Sequence, residues 1–141
     1  MEEDIKKIVE LLGFKSFSVE SGDEQRFFSI HINDESISKE KLPGFIADLN
    51  KVVRLFAKKK GHSPVVVDVN NYRRERERLI VELARAAARQ AAATKSAVQL
   101  PAMNAYERRL IHSELSIRPD VRTESVGEGK ERRVVITFIE E

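Results

Sequence analysis

An arginine and a histidine one helical turn apart carry the clearest chemistry in this sequence. Arg108 and His112 lie in the segment PAMNAYERRLIH, residues 101–112. Because side chains four residues apart share one face of a helix, the two would point to the same side. A guanidinium offers a planar fork of donors, and a protonated imidazole adds another donor. The spacing therefore predicts a donor pair for one phosphate group, with an ordinary solvated helix face as the alternative.

The ends of this segment predict the helix that would present the pair. Asn104, followed three residues later by Glu107, is a variant of the capping box, so we expect a helix from there to about Leu115. Tyr106 and Leu110 lie on the side opposite to the pair. We expect these two side chains to anchor the helix to a hydrophobic core. Aromatic stacking on a ligand has little support, because the basic half contains only Tyr72 and Tyr106 besides Phe56 and Phe138, which are expected in the core.

Enzyme chemistry has little support in the sequence. The motifs Gly-x-x-x-x-Gly-Lys, Gly-x-Gly-x-x-Gly, His-Glu-x-x-His and Gly-x-Ser-x-Gly are all absent. There is no cysteine and the three histidines lie far apart, which argues against disulfides and metal sites. Carboxylates are plentiful, but they share faces with Lys and Arg, as solvated pairs do. We expect a non-catalytic protein without a cofactor or a bound metal.

Charge is unevenly distributed along the 141 residues of the chain. The net charge is only +2, although 34% of the residues are charged, against the usual ~25%. Residues 1–50 carry six Lys or Arg against eleven Asp or Glu, whereas residues 51–95 carry twelve against four. A local excess of positive charge is the electrostatic footprint of a phosphate ligand. The block 51–95 therefore indicates nucleic acid, with a solvated helical face as the alternative.

Length and hydrophobicity limit the architecture and the compartment. A chain of 141 residues holds one ordinary domain or two small ones. No hydrophobic run approaches the ~18 residues needed to span a bilayer, and the acidic start MEEDIKK is unlike a signal peptide. We expect a cytoplasmic protein without membrane insertion.

Hydrophobic spacing and turn residues predict an α+β fold made of small modules. Helices are expected over residues 3–12, 45–60, 72–93 and 104–115. Strands are expected over residues 14–20, 27–33, 63–69, 97–100, 121–126 and 132–138, with 34–44 as a connection. The coarse order is αββααβ up to the Arg-rich helix 72–93, followed by β, α, β and β. The expected apolar stripe of the Arg-rich helix is Leu79, Ile80, Leu83, Ala87 and Ala91.

The C-terminal half resembles the R-three-H domain, a single-stranded nucleic-acid-binding domain named for its Arg-x-x-x-His motif. The resemblance covers residues 72–138, and its most specific parts are the MNAYERRLIH helix, the TESVGEG turn and the RRVVI strand. It implies an α/β domain with a small sheet packed on helices, in which Arg108 and His112 are the motif pair that binds phosphate. It also implies flanking cationic contacts, for which solvent-facing charge is the alternative: Arg73, Arg74, Arg76, Arg109, Arg132 and Arg133.

The N-terminal half resembles the KH-type module that precedes this domain in the bacterial Jag family, also called SpoIIIJ-associated or KhpB-like proteins. A KH domain grips the nucleic-acid backbone through a Gly-x-x-Gly loop. The corresponding SKEKLPG, residues 38–44, has a single glycine, so Lys39 and Lys41 are the remaining candidate phosphate contacts. The resemblance implies a degenerate KH-like α/β sandwich at 1–71 and an R-three-H domain at 72–141, without the additional N-terminal segment of longer members.

Two functions follow from these observations. The first is non-catalytic binding of single-stranded RNA or DNA through phosphate contacts, in a bacterial post-transcriptional regulator or RNA chaperone of the Jag type. A second KH-domain protein, or self-association, is the implied protein partner. The alternative is a protein-interaction adaptor whose KH-like half mediates dimerisation or docking. The single glycine in residues 38–44 favours the adaptor, whereas Arg108, His112 and the basic block favour RNA.

Overall fold

The computed structural model describes residues 1–22 and 25–140, and it divides into two compact units, Met1–Arg73 and Arg74–Glu141. Each unit combines helices with one three-stranded sheet, which confirms the expected α+β class. In the described part of the chain, no helix is both long enough and apolar enough to cross a membrane.

The N-terminal unit is built on a sheet of strand order β1-β2-β3. Its elements are α1 (Glu2–Leu11), β1 (Phe17–Ser21), β2 (Phe27–Ile32), α2 (Leu42–Lys59) and β3 (Val66–Val69). β1 is antiparallel to β2, with Val19 opposite Ile30, whereas β2 is parallel to β3, with Ile30 opposite Val69. A parallel pair needs a crossover connection, and α2 provides it.

Strand β2 shows the alternation that its sequence predicts. Phe28, Ile30 and Ile32 are buried, whereas Ser29 and His31 are only half-buried on the other face. The helices complete the core with apolar side chains at helical spacing: Ile5 and Val9 from α1, and Leu42, Leu49, Val53 and Ala57 from α2.

Two expectations for the N-terminal unit are wrong. The order is αββαβ rather than αββααβ, because a single α-helix lies between β2 and β3. In addition, α2 begins at Leu42 rather than at Phe45. Pro43 lies in the first turn of α2, where the amide hydrogen that proline lacks would have no partner within the helix. The proline is therefore part of the helix and not of the connection expected over residues 34–44.

The start of the next helix, α3 (Tyr72–Thr94), is tied to the end of β3 by a buried carboxylate. Asp68 is only 6% exposed. Both of its side-chain oxygens accept hydrogen bonds from the backbone amide of Arg73, at 3.3 and 3.2 Å. A carboxylate at a helix N-terminus accepts from amides that have no partner within the helix, so Asp68 fixes the first turn of α3.

The C-terminal unit has an antiparallel sheet of strand order β4-β6-β5. Its elements are α3 (Tyr72–Thr94, which begins in the last residues of the N-terminal unit), β4 (Val98–Gln99), α4 (Ala105–Leu115), β5 (Val121–Val126) and β6 (Arg133–Phe138). β6 is the central strand, with Ile136 opposite Val98 on one side and Thr123 on the other. Gly127 and a short 3-10 turn, Gly129–Glu131, connect β5 to β6.

The core of the C-terminal unit is lined by unusually small side chains from α3. Ile80 and the four alanines 84, 87, 88 and 91 face the core, together with Ile111, Leu115, Val134 and Ile136. The expected stripe is confirmed for Ile80, Ala87 and Ala91 and wrong for Leu79 and Leu83, which are 46% and 38% exposed. Alanine lets neighbouring backbones approach closely, and the buried stripe follows the alanines rather than the leucines.

Candidate nucleic-acid interface

Helix α4 begins at the cap that its sequence predicts. The Asn104 Oδ1 accepts from the backbone amide of Glu107 at 2.9 Å, and the Asn104 Nδ2 donates to the Glu107 Oε1 at 3.2 Å. The second carboxylate oxygen of Glu107 accepts from the Arg76 Nη2 at 3.2 Å. The cap is therefore confirmed, and its glutamate also joins α4 to α3.

Arg108 is half-buried and shares one face of α4 with His112, whose ring contacts strand β5. Its Nη1 donates to the backbone carbonyl of Met103 at 2.7 Å, so the guanidinium folds back towards the loop before α4. This is the one hydrogen bond that its guanidinium makes within residues 1–22 and 25–140. The remaining guanidinium donors are available to an anion, and the first bond fixes their direction.

His112, also half-buried, is held from both sides of its ring by hydroxyl groups of β5. Its Nδ1 lies 2.6 Å from the Thr123 Oγ1, and its Nε2 lies 3.0 Å from the Ser125 Oγ. A neutral imidazole donates from one nitrogen and accepts at the other, and a hydroxyl can play either role. The histidine is thus part of a cluster of three polar side chains rather than an isolated donor.

Thr123 and Ser125 contact the candidate site through His112, and sequence reasoning did not identify them. They occupy alternate positions of β5, so their side chains leave the strand on the same face. The TESV segment contained this pattern, but only the packing of α4 against β5 shows that the two hydroxyls meet His112.

The solvent-facing side of α4 lies next to Arg108 and His112 around the circumference of the helix. Arg109 is exposed, and within the described residues its guanidinium has no hydrogen-bond or ion-pair partner. Tyr106 is 41% exposed and donates its hydroxyl to the Glu77 Oε1 at 2.6 Å. Tyr106 is therefore not the core anchor that was expected. The buried anchors of α4 are Ile111 and Leu115, while Leu110 packs half-buried against the core as expected.

The flanking arginines of α3 have different environments. Arg76 forms an ion pair with Glu107. Arg74 is exposed at the start of the C-terminal unit, whereas Arg73 belongs to the N-terminal unit. Their roles as nucleic-acid contacts stay predictions.

The two arginines near the β5–β6 connection support that turn. The Arg132 Nη1 donates to the carbonyl of Gly127 at 2.7 Å, and the Arg133 Nε donates to the carbonyl of Glu131 at 3.2 Å. In the N-terminal unit, Lys39 and Lys41 are exposed in the turns that lead into α2. These four residues too remain predicted contacts.

The two flanks of α4 differ in charge. On the flank towards α3, Glu107 and Glu114 pair with Arg76 and Arg85, the latter through a 2.6 Å contact between the Arg85 Nε and the Glu114 Oε1. On the flank towards β5 lie Arg108 and His112, whose hydrogen-bond partners are a carbonyl and two hydroxyls. An anion would meet paired carboxylates on the first flank. On the second flank it would meet Arg108, which has no carboxylate partner among the described residues, beside an imidazole whose two nitrogens contact hydroxyls.

Comparison with known proteins finds the R-three-H domain family, whose model matches residues 78–138. Three similar proteins are each named RNA-binding protein KhpB. The protein of Lactiplantibacillus plantarum (strain ATCC BAA-793 / NCIMB 8826 / WCFS1) is 41% identical over 77 residues, which are 55% of this chain and 24% of that protein. The protein of Bacillus subtilis (strain 168) is 40% identical over 75 residues, 52% of this chain and 36% of that protein.

The third relative is from Clostridium symbiosum and is 40% identical over 74 residues, 52% of this chain and 33% of that protein. The matches thus span about a quarter to a third of each of these relatives. The matched segment of the family model contains α4, β5 and β6 with the Arg108–His112 pair. Residues 78–138 therefore match the R-three-H domain family, which confirms the resemblance drawn from the sequence for this half.

Proposed function

We propose that this protein binds single-stranded RNA without catalysing a reaction, through phosphate contacts centred on Arg108 and His112. The observation that carries the proposal is the R-three-H match over residues 78–138, which includes both residues. The relatives' name, RNA-binding protein KhpB, favours RNA over DNA as the ligand. A role as a post-transcriptional regulator or RNA chaperone in the cytoplasm follows from the same similarity and is part of the proposal.

The geometry of α4 supports a phosphate ligand at this position. The Met103 carbonyl orients Arg108, and the hydroxyls of Thr123 and Ser125 orient His112. Donors that are fixed before binding lose little side-chain entropy when the ligand arrives. Arg109 adds an exposed cation one residue further along the helix. A single strand would therefore cross the β5 flank of α4 with its backbone against Arg108 and Arg109.

Fluorescence anisotropy with a short labelled uridine RNA at low salt tests the proposal. We expect Arg108→Ala and His112→Ala each to weaken binding by about tenfold or more, because hydrogen bonds to charged groups contribute ~1.5–3 kcal/mol. The matched control is Arg78→Ala, since Arg78 is also an arginine of the R-three-H domain but is ion-paired with Glu75 and Glu82. If both α4 variants bind as tightly as the parent protein, the proposal is wrong.

In this proposal the N-terminal unit is a KH-like domain that serves in packing or dimerisation and does not bind RNA itself. The parallel β2–β3 pair with its α2 crossover and the single glycine of residues 38–44 are what supports it. A second KH-domain protein or another copy of the chain is the proposed partner. Light scattering of the full chain over a range of concentrations tests self-association, and Lys39→Ala with Lys41→Ala tests whether this unit contributes to RNA affinity.

A further inference from the structure

The exposed ring on α4 is unusual for this protein. Within residues 1–22 and 25–140, Tyr106 is the one tyrosine or phenylalanine that is exposed, whereas Tyr72 and all seven phenylalanines are buried or half-buried. Its hydroxyl is fixed by the 2.6 Å hydrogen bond to Glu77, so the ring is held in place while part of its surface stays in solvent. A rigid, partly exposed aromatic ring is the usual platform on which single-stranded nucleic acids stack their bases.

A shallow depression lies beside this ring. It is lined by Tyr106, Arg109, Leu110 and Ser113 and has a volume of about 350 Å³. Tyr106, Arg109 and Ser113 recur at helical spacing on the solvent-facing side of α4. The planar guanidinium of Arg109 can stack on a base or bind the adjoining phosphate. The lining is therefore suited to a flat, polar ring attached to a phosphate.

Charge distinguishes this depression from the phosphate site. Glu77 lies at the tyrosine hydroxyl and Glu107 on the α3 flank, and both carboxylates disfavour a phosphate on that side. Helical spacing places Arg109 between Tyr106 and the Arg108–His112 pair around the circumference of α4. A strand whose phosphate sits at the pair can thus pass over Arg109 and lay the attached base on the Tyr106 side.

We propose that Tyr106 and Arg109 form a stacking subsite for one nucleobase of the bound single strand. This inference rests on the proposed RNA binding and adds to it a contact with the base. Because stacking uses the ring face and no base edge, the subsite accepts any of the four bases and distinguishes single strands from duplexes, whose bases are already stacked.

Two ligands with the same number of phosphates test the subsite with the full chain. One is a short uridine RNA, and the other is the same backbone with every base removed. We expect Tyr106→Ala to weaken binding of the uridine RNA by about tenfold and to leave binding of the abasic strand unchanged. Tyr106→Phe, which keeps the ring but loses the bond to Glu77, should retain most of the affinity. Thermal unfolding checks that each variant is folded.

Intrinsic fluorescence gives a second readout. The chain has two tyrosines and no tryptophan, so Tyr72→Phe leaves Tyr106 as the sole reporter. We expect the uridine RNA to quench this emission and the abasic strand to leave it unchanged. If Tyr106→Ala binds the uridine RNA as the parent does, or loses both ligands equally, the subsite is wrong. In that case, weaker RNA binding by Arg108→Ala would show that the proposed RNA binding holds even though the stacking subsite does not.

Discussion

The His112 Nδ1 lies 2.6 Å from the Thr123 Oγ1, so the histidine of the Arg-x-x-x-His helix is oriented by the neighbouring strand. Ser125, two residues further along β5, holds the other ring nitrogen at 3.0 Å. The motif is thus completed by two hydroxyls that lie outside it. The proposed phosphate site therefore consists of α4 together with one face of β5, because neither element alone fixes the imidazole.

This relationship predicts that Thr123→Val reduces RNA affinity about three- to tenfold, since removing one neutral hydrogen bond costs ~0.5–1.5 kcal/mol. Valine keeps the shape of threonine and its preference for strands. Fluorescence anisotropy measures the effect. A double-mutant cycle provides the control: in the His112→Ala background, Thr123→Val should change affinity little. Full additivity of the two substitutions would contradict the proposed coupling.

The N-cap of α4 predicts a stability effect that is separate from binding. Asn104→Ala removes the bond to the Glu107 amide and should lower the free energy of unfolding by ~1 kcal/mol. Asn104→Ser keeps a capping oxygen and serves as the matched control, with a much smaller effect. Urea unfolding of the full chain, followed by circular dichroism, measures both. Equal losses for the two variants would show that the cap contributes nothing specific.

The alanine face of α3 predicts that the core does not tolerate enlargement. Ala88 is fully buried, so Ala88→Leu should destabilise the protein by ~1–3 kcal/mol through overpacking. Leu83→Ala, on the exposed side of the same helix, should change stability by less than ~1 kcal/mol. Thermal unfolding compares the two variants. A larger loss for Leu83→Ala than for Ala88→Leu would contradict the assignment of the buried face.

A carboxylate near the start of β5 predicts a local pH effect. The Arg118 Nε and Nη2 donate to the two Asp120 oxygens at 2.8 and 2.9 Å. These hydrogen bonds hold the pKa of Asp120 below its ordinary value of 3.8. Because the pKa is lower in the folded chain than in the unfolded one, the pair contributes stability above about pH 3.8 and loses it as the pH falls through the folded pKa.

The substitution Arg118→Gln should therefore raise the pKa of Asp120 towards its ordinary value, as measured by NMR titration of the carboxyl carbon. Asp34 is an internal control, because hydrogen bonds from the Ser36 hydroxyl and amide lower the pKa of that carboxyl independently. An unchanged Asp120 titration would show that the ion pair is not formed in solution.

Salt dependence separates phosphate contacts from indirect effects. The logarithm of the binding constant should fall with the logarithm of salt concentration with a slope of about two to four, since each single-strand phosphate contributes ~0.7. Arg108→Ala should lower that slope by ~0.7. Arg78→Ala should leave the slope unchanged, because Arg78 is ion-paired with Glu75 and Glu82 and is not expected to contact a phosphate. An Arg108→Ala variant that is weaker but has the parent slope would indicate a structural role for Arg108.

Local sequence patterns predicted the parts of the fold that local forces determine. The Asn104 cap, the α4 helix and the alternation of β2 were recognisable because capping, helical spacing and strand spacing each involve residues close in sequence. The pairing of His112 with Thr123 and Ser125 was not, since it depends on how α4 packs against β5. Likewise, only tertiary packing decides that the alanines of α3, and not Leu79 or Leu83, face the core.

Asp68 also determines where the chain can be cut without damage. Its carboxylate accepts from the Arg73 amide, so the first turn of α3 depends on a residue that precedes the helix. A recombinant fragment will therefore keep that turn in its native form only if it starts upstream of residue 68.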